Sequence, residues 1–118
     1  MSRIIIIDDD SMTLRMIGFM LKKKGYESTG VQTAEEGLSL IRSEQPELVL
    51  LDVEMPGVSG IEVLRGIRAD EDIKDVKVCL MSGTYDEDKK AEGDELGAVG
   101  FISKPVDAAE LFTVLGGG

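Results

Sequence analysis

Residues 48–60 read LVLLDVEMPGVSG: an apolar run ends at a single carboxylate, Asp52, and the chain passes almost at once into the loop chemistry of Pro56 and Gly57. A hydrophobic strand that stops at an acid delivers that acid to the rim of a sheet, and ligands of open parallel α/β sheets bind at the carboxyl ends of the strands. Working outward, three more apolar runs end in the same manner. Residues 4–7 run into Asp8, Asp9 and Asp10, residues 78–81 run into Ser82, and residues 99–103 run into Lys104 and Pro105. The four ends carry acid, acid, hydroxyl and amine, groups able to converge on one side of a sheet.

Between these runs lie segments of helical period, the alternation expected of βαβ units in a sheet covered on both faces. Strands are expected over 3–8, 27–31, 48–52, 76–82 and 100–103, and helices over 11–24, 34–43, 60–69, 86–96 and 108–115. Ser11 is a candidate N-cap, with Leu14, Ile17, Gly18 and Leu21 on one face of the first helix. Gly25 after three lysines ends that helix with cations at its negative end. Thr33 before Glu35 and Glu36 reads as a second cap, and Pro46 closes the second helix. The run 86–95 is acidic with two lysines and little apolar content, which marks a solvated and mobile helix. Met20, Met55 and Met81 read as core fillers.

The chain of 118 residues has the length of one domain and, at 42% hydrophobic, can bury a core. A net charge of −10 argues against direct binding to nucleic acid or an anionic membrane surface, leaving proteins as the expected partners. Cys79, the single cysteine, falls inside an expected central strand and reads as a small buried residue, so no disulfide framework exists. No apolar stretch approaches the roughly 18 residues of a membrane span, and the N-terminus lacks a signal-peptide pattern, so a cytoplasmic home is expected. Residues 1–115 are expected to form the domain and 116–118 a flexible glycine tail. The short last helix fits either a naturally brief chain or a domain excised from an effector.

Asp8 and Asp9 after strand one, Asp52 in LDVEMPGVSG, Ser82 after strand four, and Lys104 with Pro105 in FISKPV together resemble the receiver domain of two-component response regulators, the chemotaxis-regulator-like family. The resemblance covers essentially the whole chain in order. It implies a flavodoxin-like, doubly wound sheet of five parallel strands in the order 2-1-3-4-5, sandwiched between helical layers. In that order strands one and three are neighbours at the topological switch point, so Asp8, Asp9 and Asp52 share a crevice. Two unit charges about 5 Å apart repel by roughly 3 kcal/mol at an effective dielectric of 20, so clustered carboxylates need a cation. All-oxygen ligation with few protein groups suits Mg²⁺ or Mn²⁺. The resemblance implies direct ligation by Asp9, Asp52 and the backbone carbonyl of Glu54, with Asp8 acting mainly through water and Pro105 following a cis bond.

The implied chemistry is phosphoryl transfer to Asp52 from the phosphohistidine of a sensor histidine kinase or phosphotransfer protein. A carboxylate is ionised at neutral pH and needs no general base, which fits a chain without histidine. Lys104 would offset charge on the transferred oxygens and Ser82 would donate to one of them. The resemblance further implies a switch in which Ser82 moves and Phe101 turns inward, changing the surface of helix four, strand five and helix five that meets a downstream effector. Phe101 stands where chemotaxis regulators carry tyrosine, which excludes a hydroxyl-mediated version of that switch.

Each residue also has a plainer reading. Asp10 reads first as a helix cap, Ser82 alone would be a turn residue before Gly83, Lys104 alone a surface lysine, and Phe101 serves equally as core. Three other function classes compete. A flavodoxin-like electron carrier would need a hydroxyl- and glycine-rich loop after strand one, where this chain has acids. An aspartyl-phosphate phosphatase would place its second catalytic aspartate two residues after the first, where Glu54 stands. A non-phosphorylated interaction module would have no use for the full set of acids, hydroxyl and lysine.

Overall fold

The computed structural model describes residues 3–116. Five strands, β1 (Arg3–Ile7), β2 (Glu27–Val31), β3 (Leu48–Asp52), β4 (Val78–Ser82) and β5 (Gly100–Ser103), alternate with five helices. These are α1 (Ser11–Lys23), α2 (Ala34–Glu44), α3 (Gly60–Ala69), α4 (Glu87–Glu95) and α5 (Ala108–Val114). The five strands pair in parallel in the order β2-β1-β3-β4-β5, the doubly wound order expected from the sequence.

Successive strand side chains point to opposite faces, so a strand covered on both sides must be apolar throughout. That is why Ile4 to Ile7 form an unbroken run. Ile5 and Ile7 join Val49, Leu51, Val78 and Leu80 beneath α2 and α3, while Ile4 and Ile6 join Leu48, Leu50, Cys79 and Met81 beneath α1 and α5. Each isoleucine or leucine fully removed from water contributes roughly 2 kcal/mol, so these two clusters supply the main drive for folding. Met20, Met55 and Met81 pack into or against these clusters as expected. Cys79 is buried as expected, and that burial pushes its thiol up to about 12.

Local chemistry explains where the helices begin and end. Lys22 and Lys23 lie in the last turn of α1, and Gly25 follows at φ +86 with its N–H donating to Lys22 O. Ser59 caps α3 by accepting from Ile61 N, and the helix buries Ile61, Val63, Leu64 and Ile67. α4 is unlike the rest in burying no large apolar side chain: Gly93 is its only buried residue, whereas even the short α5 buries Leu111.

Beyond shifts of one residue at the ends of β1, α1, α2, α4 and α5, the structure departs from the sequence reading at four places. Asp10, not Ser11, caps α1: its carboxylate accepts from Met12 N and from the Thr13 hydroxyl, and Ser11 is the first helical residue. The fourth strand starts at Val78 rather than 76, because the Val76 carbonyl is taken by Arg68 and its N–H bonds Ile73 O in a turn. A small antiparallel ribbon, Glu54–Met55 with Val58–Ser59, closes the loop after Asp52 around Pro56 and Gly57. Gly57 at φ +80 after a proline is the pattern of a type II turn. At the end, Gly116 is an ordered helix stop at φ +79, its N–H bonding Thr113 O; the remainder of the expected flexible tail, residues 117–118, lies outside the described residues.

Candidate functional site

The rim of the sheet is built by the strand ends. Asp8 follows β1 directly, its N–H donating to Val31 O at 3.1 Å, and Asp52 is the last residue of the adjacent β3. Both side chains are buried, Asp8 to 0% and Asp52 to 1% exposure. Asp9 points outward and is exposed, yet one carboxylate oxygen from each of Asp8, Asp9 and Asp52 falls within a sphere of mutual distances below 4.8 Å. Asp10 is outside that cluster and spends its carboxylate on the α1 cap, which holds it below the usual carboxylate range through the Thr13 hydroxyl and Met12 N–H.

Lys104 reaches into the crevice from the end of β5. Its ammonium lies 2.9 Å from Asp8 Oδ2 and 3.5 Å from Asp52 Oδ1. The lysine is aimed by its own backbone, whose N–H donates to Ser82 O at 2.8 Å, and the Lys104–Pro105 bond is cis. Burial alone would lower the lysine's pKa, but the two carboxylates outweigh it and the net shift is upward. Lys104 is therefore a fixed cation.

One ammonium does not balance three carboxylates. Asp52 is pushed up to about 7, first by burial and then by the Asp8 charge, with Lys104 pulling the other way. Its Oδ1 has Lys104 and a 3.3 Å hydrogen bond from Glu54 N–H, whereas its Oδ2 is buried without any hydrogen-bond partner. A buried acceptor with nothing to accept is costly unless something else binds it. An all-oxygen cluster of excess negative charge with an orphaned oxygen is the donor set that fits a hard divalent cation.

The acids expected from sequence, Asp8, Asp9 and Asp52, are thus gathered here, with Lys104 reaching Asp8 and Asp52. Ser82, 3% exposed, sits at the end of β4 beside β3, but its hydroxyl is engaged by the Glu54 carboxylate and the Thr84 carbonyl rather than by the acids. Phe101 lies on edge strand β5 opposite Leu80, partly buried against the α2–α3 side of the core, away from the acids.

Three contributors carry no signal that the sequence reading used. The Glu54 side chain turns back to bind Ser82 Oγ and Gly83 N–H, the latter at 3.0 Å. Gly60 lets α3 begin against the acceptor strand: a Cβ there would overlap the Asp52 carbonyl and stand 2.8 Å from Val53 Cα, and Gly60 N–H donates to Val53 O at 2.8 Å. Arg68 on α3 donates to the carbonyls of Leu96, Gly97, Lys74 and Val76, tying the end of α4 to the α3–β4 turn. A glycine heading a helix eight residues after a strand-end acid could have flagged Gly60; the other two are long-range contacts.

Comparison with known proteins agrees with this arrangement. The family described as response regulator receiver domain matches residues 4–116. Relatives include Protein PilH of Pseudomonas aeruginosa, 30% identical over 98% of this chain and 95% of PilH. The phosphate regulon transcriptional regulatory protein PhoB of the same organism is 35% identical over 92% of this chain. The match spans only 47% of PhoB, so the chain covers about half the length of that regulator. Among solved structures, a response regulator receiver protein from Pseudomonas putida superposes with a TM-score of 0.91 at 26% identity, covering 99% of this chain and 97% of that one. Chemotaxis protein CheY4 of Vibrio cholerae gives 0.90 at 25%, covering 98% and 97%. The chain belongs to the receiver domains of two-component response regulators, proteins that work by phosphorylation of an aspartate, bind Mg²⁺ at an acidic pocket, and interact with histidine kinases and downstream effectors.

Proposed function

We propose that Asp52 is the phosphoacceptor of this receiver domain. The observation that carries the reading is the orphaned Oδ2 of Asp52: a buried nucleophilic oxygen at the end of a central strand, beside a fixed ammonium and two further acids. Attack by the Asp52 carboxylate on the phosphorus of a donor phosphohistidine forms a P–O bond, while the P–N bond breaks and its electron pair stays on the imidazole nitrogen. In its ionised form the nucleophile has no proton to lose on attack; burial and the Asp8 charge raise the Asp52 pKa to about 7, so the divalent cation would serve to keep that form populated at neutral pH. A divalent cation held by Asp9, Asp52 and the Glu54 carbonyl, with Asp8 through water, would supply charge neutralisation for the incoming phosphoryl group; Mg²⁺ is the natural occupant and Mn²⁺ an alternative.

Lys104 would then exchange its contact with Asp52 for one with a phosphoryl oxygen, and Ser82 would donate to another. The resulting acyl phosphate is open to water, so the domain also promotes its own slow dephosphorylation. The donor is a sensor histidine kinase or phosphotransfer protein. The downstream effector, a separate protein or a further domain, meets the face formed by α4, β5 and α5, with Phe101 repacking as Ser82 moves. The whole of residues 1–115 acts as this one receiver unit, in the cytoplasm, where the free thiol of Cys79 is at home; no helix among the described residues is long and apolar enough to cross a membrane.

Incubation with Mg²⁺ and phosphoramidate should add one phosphate that hydroxylamine removes, as it removes acyl phosphates, and Asp52→Asn should abolish the labelling. Equal labelling of the Asp52→Asn protein would sink the assignment.

A further inference from the structure

A phosphoryl group on Asp52 would need hydrogen-bond donors on the neighbouring strand end. Asp52 lies opposite Met81 in the sheet register, so Ser82 and Gly83 begin one residue farther along on the same rim. Both of their donors are already taken. The two oxygens of the Glu54 carboxylate divide them, Oε2 accepting from the Ser82 hydroxyl and Oε1 from Gly83 N–H at 3.0 Å. Glu54 is anchored for this task, because its own N–H is bonded to Asp52 Oδ1 and its backbone is paired with Ser59 in the small ribbon.

We propose that the Glu54 carboxylate is an internal stand-in for the phosphoryl group, a latch that holds Ser82 Oγ–H and Gly83 N–H until phosphorylation at Asp52 displaces it. The inference rests on Asp52 being the acceptor. Chemistry favours the exchange of one anion for another: a carboxylate and a phosphoryl oxygen compete for the same donors, and a hydroxyl has one proton to give. Release is open to the side chain, since Glu54 is exposed and its carboxylate can pass into water. Ser82 also has a second place to turn, the Thr84 carbonyl, and its oxygen accepts from Thr84 N–H at 3.2 Å, so the loop keeps one bond while it changes the other. Glu54 is thus a positioning residue that sets how tightly the phosphorylated state is held, acting on the loop and not on the phosphorus.

The test uses beryllofluoride with Mg²⁺ as the phosphoryl probe, titrated into ¹⁵N-labelled protein and followed at the Gly83 and Phe101 amides. Glu54→Ala should bind the probe on the order of tenfold more tightly than wild type, the worth of one charge-assisted hydrogen bond no longer competing. Glu54→Asp keeps the charge but is one methylene too short to bridge both donors, so it too should tighten binding. With Ser82→Ala already in place, the gain from Glu54→Ala should shrink. In the free protein, Glu54→Ala should move the Gly83 amide resonance to lower frequency as its charged acceptor is lost. Tightening in Glu54→Ala without any in Glu54→Asp would show simple charge repulsion and overturn the latch, as would an unmoved Gly83 amide or a gain indifferent to Ser82. Probe binding that survives in Asp52→Asn would instead overturn the acceptor assignment, and the Gly83 shift in free protein would still report on the latch by itself.

Discussion

Replacing Asp52 by asparagine should stabilise the metal-free protein, and the gain should grow with pH. In the folded chain burial and the neighbouring Asp8 charge raise the Asp52 pKa from 3.8 to about 7. A group whose folded pKa is raised favours folding in its protonated form, so its contribution is intact below pH 3.8 and is lost as the pH climbs towards 7. Each pH unit across that window is worth about 1.4 kcal/mol, so the buried charge costs on the order of 4 kcal/mol above pH 7 and roughly half of that or less at pH 5. Asparagine keeps the shape without the charge. Urea unfolding followed by circular dichroism, in chelator and at matched ionic strength, should therefore show an Asp52→Asn advantage that is about 2–3 kcal/mol larger at pH 8 than at pH 5. Mg²⁺ should narrow the gap at pH 8, because binding to the wild-type cluster stabilises the folded state by mass action. An advantage that is flat or falls between pH 5 and pH 8 would refute the account of Asp52 as a strained, under-compensated carboxylate.

Gly60→Ala should destabilise the fold by about 2 kcal/mol or more and reduce phosphoramidate labelling, since the new methyl overlaps the Asp52 carbonyl; denaturation and labelling measured on one preparation will check both. Asp9→Ala should lose most of the rise in melting temperature that Mg²⁺ gives, whereas Asp10→Ala should keep that rise while losing about 1 kcal/mol of stability with the α1 cap; thermal melts with and without Mg²⁺ separate the two. Arg68→Ala should speed amide hydrogen exchange in α4 and in the 70–77 turn more than in β1 and β3, because four carbonyls lose their shared donor.

The parts of the site that could be read from sequence are those in which one residue type interrupts a long pattern. Asp8, Asp52, Ser82 and Lys104 each stand at the end of an apolar run, and a run covered on both faces marks its end to within a residue. Sequence alone does not separate Asp10 from Ser11 as the α1 cap, because both are good caps, and only the turn geometry, with Thr13 adding a second bond to Asp10, decides between them. The ribbon around Pro56 and Gly57 is too short to have a period. Glu54 and Arg68 were illegible for a different reason: their partners lie 28 residues or more away, or across a turn, and nothing in the local sequence distinguishes a charged side chain folded back on the protein from one in water. Gly60 shows only as a helix start until the carbonyl pressed against it is seen.

The helix α4 rests on the body through Gly93 beneath Leu80, an Arg65–Glu92 ion pair and the Arg68 carbonyl contacts, and otherwise presents charge to solvent. A surface that owes so little to the core is nearly free of the folding constraints that bind the rest of the chain. On the effector face proposed above, substitutions along the outer side of α4 would change what the domain recognises while leaving the core packing as it is. Two descendants of one such gene could keep the same acceptor chemistry and diverge to different listeners by editing a few charges, so that insulation between parallel signalling routes becomes a matter of surface lettering and not of architecture.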